Sequence, residues 1–311
     1  MDLRAALAAR LGDERVHAQA PLAPFTTLRI GGPADLLAEV RSAEEALDTL
    51  RLAREAGVPL TWLGGGSNVL IGDGGIRGLV ARWHGGRAET VAPARVRAEG
   101  GVTINGLVRY TIGHGLAGLA DWAGTPGTVG GAIHGNAHFQ GRLISQSVAS
   151  VEVAAPDGSV RVLEASQMEF GYDRSRLQRT GEVTLRATFV VGEGHQYALR
   201  AVARRSLAFR KRTQPLALPS AGCVFKNPDP ARVRLPPGVP CSAGALVERA
   251  GMKGVACGGA RVSPVHAAFV VNEGGATARD VATLVERMRD AVAVRFGVVL
   301  EEEIVRLGEP A

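Results

Sequence analysis

Residues 220–228 read Ser-Ala-Gly-Cys-Val-Phe-Lys-Asn-Pro, which puts an ionisable proton carrier just ahead of an anion-binding pair. Gly222 permits a turn or a close backbone approach. Cys223 carries a proton. Lys226 and Asn227 follow three and four residues later and can meet an anion with a charge and a hydrogen bond. That set suits acid chemistry on a phosphorylated or carboxylated substrate.

Two glycine blocks could hold such a ligand. Gly64, Gly65, Gly66, Ser67 and Asn68 follow a short apolar run, and their N–H groups can turn toward a pyrophosphate. The block has neither GxGxxG spacing nor the Lys-Ser/Thr of a Walker loop, and a tight strand-to-strand turn would read the same way. Residues 124–136 read Gly-Thr-Pro-Gly-Thr-Val-Gly-Gly-Ala-Ile-His-Gly-Asn. Four glycines and a proline in the first eight positions argue against regular helix or strand. A buried loop of that kind leaves donors that a ring system or phosphates would satisfy. His134 reads either as a ligand contact or as an ordinary hydrogen-bonding residue.

The elements that must position these blocks follow from pattern. Residues 34–40 form a strand, Ser42 with Glu45 caps a helix that Gly57 ends, and residues 58–63 form a second strand emptying into the first glycine block. A helix over about 104–112 leads to the second. Residues 148–154 and 159–163 flank Pro156-Asp157-Gly158 as a hairpin, and 182–191 is another strand. A basic helix over about 197–212 ends at Gln214-Pro215. Thr277 and Asp280 cap a helix whose apolar residues Val281, Leu284, Val285, Met288 and Val292 share one face. Gly297 closes it, and 298–307 is a terminal strand. The class is α+β with mixed sheets.

Composition narrows the function. A chain of 311 residues is long for a single core. Apolar residues make up 46% and charged residues 21%, as in ordinary globular proteins. The net charge of +6 suits polyanionic small molecules. No basic run is interleaved with aromatics, which argues against nucleic acid. Three unpaired-looking cysteines, Cys223, Cys241 and Cys257, without CxxC spacing argue against a disulfide framework and fit a reducing cytoplasm. The charged N-terminus does not resemble a signal peptide, and no apolar run suits a membrane span. No metal site is expected.

Taken together, the blocks resemble the UDP-N-acetylenolpyruvoylglucosamine reductase (MurB) family. The resemblance rests on Thr27-Leu28-Arg29-Ile30-Gly31-Gly32-Pro33-Ala34, Leu63 to Asn68, Gly124 to Ala132 and the cysteine block. It extends through Gly258-Gly259-Ala260, His266 to Asn272, and Leu300-Glu301-Glu302-Glu303-Ile304-Val305-Arg306. The compact cysteine block is similar to that of the shorter subtype. The resemblance implies three domains: residues 1–83, joined by 299–311, and 84–213 as a two-part FAD-binding module of the vanillyl-alcohol-oxidase type, with 214–298 as an α+β substrate domain. It implies noncovalent FAD and reduction by NADPH. A hydride then passes to C3 of the enolpyruvyl ether of UDP-N-acetylglucosamine, and C2 is protonated to give UDP-N-acetylmuramate. The expected enzyme is cytoplasmic, monomeric and free of membrane or nucleic-acid partners.

The resemblance also implies roles. Cys223 takes the position of the family's usual proton-donating serine; an unperturbed thiol near ~8.5 is mostly protonated at neutral pH. Glu303 takes the carboxylate-polarising position, with Glu301 on the same face by period two and Glu302 on the other. Gly64, Gly65, Gly66, Ser67, Asn68, Gly124, Thr125, Gly127, Thr128, Gly130, Gly131 and His134 are the expected cofactor contacts, and Tyr172, Lys226 and Asn227 the substrate contacts. One block departs. The family's Phe-Gly-Tyr-Arg-x-Ser here reads Phe170-Gly171-Tyr172-Asp173-Arg174-Ser175. A one-residue shift reverses the face in an extended segment, whereas a bulge or loop restores it. The expectation is that Arg174 keeps the role, with Arg176 next, and that Asp173 points away. Competing readings are a different flavin oxidase or dehydrogenase of small alcohols, and a non-catalytic nucleotide-binding protein.

Overall fold

A computed structural model describes residues 1–310. The chain forms two compact units. The larger comprises Met1–Ala20, Asp35–Gly65 and Gly78–Phe209. The smaller comprises Pro21–Ala34, Gly66–Arg77 and the chain from Arg210 onward.

In the larger unit, Ser42 caps the helix Ala43–Glu55, its side chain accepting from the Glu45 N–H. Glu45 reaches back to the Arg41 N–H and forms an ion pair with Arg15. The strand Leu60–Leu63 follows, but it does not lie beside Pro33–Val40. The sheet runs Val16–Pro21, Pro33–Val40, Ile76–Trp83, Leu60–Leu63, so a later strand inserts itself between the two halves of the β-α-β unit. The predicted hairpin is present as Val148–Ala154 and Val160–Glu164. It belongs to a five-stranded antiparallel sheet completed by Val183–Val190, Arg95–Glu99 and Ala88–Ala92. Phe189, Ile104, Leu107 and Ile133 are fully buried in the core on this sheet.

In the smaller unit, Ser220–Cys223, Phe269–Asn272, Ala260–Val262 and Ala256–Cys257 form an antiparallel sheet. The helix Ala278–Phe296 starts with the Thr277/Asp280 capping box and ends at Gly297, whose φ of 67° is left-handed. Val281, Leu284, Val285, Met288 and Val292 are all buried. Burial of each such side chain contributes roughly 1.5–3 kcal/mol. Asp73 also accepts from the Ala278 and Arg279 N–H groups at 2.8 and 3.1 Å, tying the 66–77 segment to this helix. The terminal strand is shorter than its apolar pattern suggests. Only Val305–Leu307 is regular strand, paired in parallel with Val69–Ile71, because residues 301–303 pair instead with the cysteine block.

Candidate active site

The smaller unit carries the proposed acid chemistry. Gly222 has φ 84°, a left-handed conformation open to glycine at little cost. Ser220 pairs with Val271 but Cys223 pairs with Phe269, so the strand bulges at Gly222 and re-aims the cysteine. Beyond it, the Lys226 N–H donates to the Glu301 carbonyl at 2.9 Å and the Glu303 N–H to the Val224 carbonyl at 2.8 Å, bracketing an antiparallel Phe225–Glu302 pair. That register sorts three consecutive glutamates. Glu301 takes the Lys226 ammonium at 2.6 Å. Glu302 forms ion pairs with Arg289 and Arg306. The Glu303 charge is felt at Cys223. Burial, with the Glu303 charge as a second cause, pushes the thiol up to about 12. The residue keeps partial solvent contact, but the protein crowding its sulfur makes a thiolate unfavourable. Cys223 is therefore a fully protonated thiol at neutral pH.

Asn227 has a structural duty: its Oδ1 accepts from the Ala243 N–H at 3.0 Å, at the start of the helix Ala243–Arg249. Gly66 is fixed by the backbone of Phe25 and Thr26, where a Cβ would collide. The N–H groups of Gly66, Ser67 and Asn68 donate to no protein acceptor among the described residues.

In the larger unit, the second glycine block is not wholly irregular. Val129–His134 is a short helix entered through Thr128, whose Oγ1 accepts from Gly131 N–H at 3.4 Å. Gly130 and Gly131 therefore sit inside a helix, contrary to the pattern-based expectation. Close approach decides this, not helix propensity: the Gly130 N–H bonds the Gly100 carbonyl at 2.8 Å, and a Cβ on Gly130 would lie 3.2 Å from that oxygen. The first block presses on the second. A Cβ on Gly64 would lie 2.5 Å from Thr128 Oγ1, and one on Gly65 2.7 Å from Gly127 Cα. Gly124 and Gly127 hold φ of 83° and 99°. Asn105 braces the loop from both sides, accepting from Gly124 N–H at 2.7 Å and donating to the Thr125 carbonyl at 3.1 Å. The Gly65, Gly127 and Thr128 N–H groups have no protein acceptor among the described residues. Donors left over in loops too tight for side chains fit a ligand bearing phosphates, so these residues fit the FAD that the sequence implies. His134 is half-buried, and desolvation lowers its pKa, keeping the imidazole neutral.

The segment with the shifted arginine forms a turn. Gly171 and Arg174 pair antiparallel, with Tyr172 and Asp173 at the tip. Asp173 adopts φ 50° and is buried beside Gly135. Arg174 emerges exposed, its guanidinium lying over Gly171, with no ion pair among the described residues. Arg176 is committed to Glu182 at 2.9 Å, which leaves it a structural anchor. Tyr172 is exposed and packs on the His138 ring, 4.8 Å between centroids. The turn is mounted on the second glycine block: Ser175 Oγ donates to the His134 carbonyl at 2.7 Å, and Asn136 Nδ2 to the Gly171 carbonyl at 2.7 Å. Asn105, Asn136 and Ser175 were not among the expected site residues, because a single buried asparagine or serine carries no periodic signal.

No group of metal-ligating side chains occurs among the described residues, and no described helix is long and apolar enough to cross a membrane. Residues 34–164 match the family model of an FAD binding domain, and residues 214–307 match that of the UDP-N-acetylenolpyruvoylglucosamine reductase C-terminal domain. An α+β chain with these two domains is an FAD-dependent oxidoreductase. The chain is 42% identical over 99% of its length to the UDP-N-acetylenolpyruvoylglucosamine reductase of Myxococcus xanthus, covering 98% of that protein. It is 40% identical over 94% of its length to that of Heliobacterium modesticaldum, covering 90% of it. The crystal structure of the Thermus caldophilus reductase (MurB) superposes with a TM-score of 0.76 at 32% identity, over 94% of this chain and 98% of that one. The chain belongs to the UDP-N-acetylenolpyruvoylglucosamine reductase family.

Proposed function

We propose that the protein reduces the enolpyruvyl group of UDP-N-acetylglucosamine enolpyruvate to UDP-N-acetylmuramate, with NADPH as reductant, as a cytoplasmic monomer. The observation that carries this reading is the bulge at Gly222 that re-aims Cys223, with the Glu303 backbone bonded to Val224 directly after it. The hydride chemistry belongs to noncovalently bound FAD. The rest falls to this chain. Cys223 supplies the proton needed at C2 as charge builds on the substrate carboxylate. Glu303 polarises that carboxylate and Arg174 takes its charge. Lys226, exchanging Glu301 for the substrate, and Asn227, through its amide nitrogen, meet the diphosphate with Tyr172. The two glycine blocks, Gly64 to Asn68 and Gly124 to His134, hold the cofactor. Residues 1–83 with 299–311, and 84–213, form the FAD-binding module, and 214–298 the substrate domain.

An oxidase of small alcohols on the same FAD-binding domain would account for the glycine blocks but for neither the C-terminal family match nor the Cys223–Glu303 pair. The test is an anaerobic visible spectrum of the purified protein. NADPH must bleach a flavin band and the enolpyruvyl sugar must restore it. A protein that bleaches with NADPH, is not reoxidised by the sugar, and makes hydrogen peroxide in air refutes the reading.

A further inference from the structure

Arg174 reaches its place through contacts that begin at Asn136. The Gly171 carbonyl accepts from the Asn136 Nδ2 at 2.7 Å and from the Arg174 N–H at 3.3 Å. The Gly171 N–H returns a bond to the Arg174 carbonyl at 2.9 Å. The guanidinium then lies back on the same glycine. A Cβ on Gly171 would stand 3.2 Å from the Arg174 Nε and 3.3 Å from its Nη2. Gly171 is therefore the seat of the guanidinium. Its φ is not left-handed, so the missing side chain answers to that close approach and not to backbone strain.

Asn136 is suited to hold this seat. It is fully buried, and its φ of 45° is left-handed, which asparagine tolerates better than most residues. Its Oδ1 accepts from the Ser145 N–H at 3.1 Å. Both ends of the amide are thus tied, which sets its orientation. The far limb of the turn has other supports, Ser175 Oγ on the His134 carbonyl at 2.7 Å and Gln178 Nε2 on the Asp173 carbonyl at 3.2 Å. Asn136 bears on the glycine beneath the guanidinium itself.

We propose that Asn136 is a positioning residue for the sugar half-reaction. Through the Gly171 carbonyl it fixes the seat of the Arg174 guanidinium, and so the place where that charge meets the substrate carboxylate. The proposal rests on the reading of Arg174 as the carboxylate contact. A merely structural Asn136 would brace the turn and act equally with or without a guanidinium at position 174, and double-mutant cycles separate the two roles.

The holoenzyme carries Asn136→Ala, Gly171→Ala or Arg174→Ala singly, and each of the first two combined with Arg174→Ala. Reoxidation by the enolpyruvyl sugar is followed at the flavin band, per bound flavin, with reduction by NADPH as the reference. Gly171→Ala leaves Asn136 in place and crowds the guanidinium. Asn136→Asp keeps the acceptor for Ser145, loses the donor to Gly171, and replaces Asn136→Ala should that variant not fold. With Arg174 present, the Asn136 and Gly171 variants should each slow reoxidation, relative to reduction, about fivefold. In the Arg174→Ala background each should change it less than about twofold. Equal slowing in both backgrounds, or none from the Asn136 variant, overturns the proposal and leaves Asn136 a structural brace. Failure of the underlying reading has a different signature: Arg174→Ala alone is reoxidised at the parent rate, which removes the role of Arg174 and that of Asn136 with it.

Discussion

The Glu303 N–H is bonded at 2.8 Å to the carbonyl of Val224, the residue after Cys223, and the Glu303 charge is felt at the Cys223 thiol. Burial of the sulfur, and after it this negative charge, oppose thiolate formation, and the thiol is pushed up to about 12. Alkylation of Cys223 is therefore slow at neutral pH, because the thiolate is the nucleophile. Its rate should rise about tenfold per pH unit from pH 7 to 10. Glu303→Gln removes the charge and should raise the rate at every pH in that range. A rate that levels off below pH 9 in the parent contradicts the raised value.

The same shift has a sign in stability. A thiol that keeps its proton in the folded state but loses it when unfolded favours unfolding once the pH passes the unfolded value near 9. The Cys223 contribution is complete below that value and is lost as pH rises toward 12. The limiting slope is about 1.4 kcal/mol per pH unit. Urea melts at pH 8 to 10.5 should show the parent losing stability more steeply than Cys223→Ala. Parallel curves refute the linkage.

Arg174→Ala should slow reoxidation by the enolpyruvyl sugar at least about tenfold, the loss expected for a charge-assisted contact worth roughly 1.5–3 kcal/mol. Arg176→Ala should act on stability, since it strips one partner from the buried Glu182, leaving Arg161 and Thr180. A melting temperature lowered by several degrees with reoxidation nearly unchanged is expected. The reverse pattern would move the carboxylate contact to Arg176.

How far the sequence reached is clearest at the two ends of the smaller unit. The helix Ala278–Phe296 was legible because a capping box, a 3.6-residue apolar period and a terminal glycine all agree. Period two separates Glu302 from Glu301 in the sequence, and the structure gives the two different cations, Arg289 and Arg306 for Glu302 and Lys226 for Glu301. The shift at Asp173 and Arg174 could be posed but not solved. Its answer depends on Asn136 and Ser175, which lie near it only in space. The glycines at 64 and 65 were read for a ligand, and the structure adds a second cause, the backbone of Gly127 and the side chain of Thr128.

Those two causes separate by substitution. A Cβ on Gly65 meets Gly127 Cα at 2.7 Å, whereas one on Gly131 meets only Thr128 Oγ1, at 3.7 Å. Gly65→Ala should lower both melting temperature and flavin content. Gly131→Ala should leave the melting temperature of flavin-stripped protein within a few degrees of the parent while reducing flavin content. Equal loss of stability in both variants would remove the distinction. In the parent, His134 is expected not to tether the cofactor, so acid precipitation should leave the yellow colour in the supernatant. Colour in the pellet would show a covalent bond.

The central claim is that Cys223 delivers a proton in one half-reaction and none in the other, and anaerobic stopped-flow of Cys223→Ala tests it most directly. Removing a general acid typically costs roughly 10²–10⁴-fold. NADPH should reduce the flavin of the variant at close to the parent rate. Reoxidation by the enolpyruvyl sugar should fall at least about a hundredfold, and Cys223→Ser should recover much of the loss. A Cys223→Ala enzyme that is reoxidised at the parent rate would contradict the account and pass the proton to Glu303 or to water.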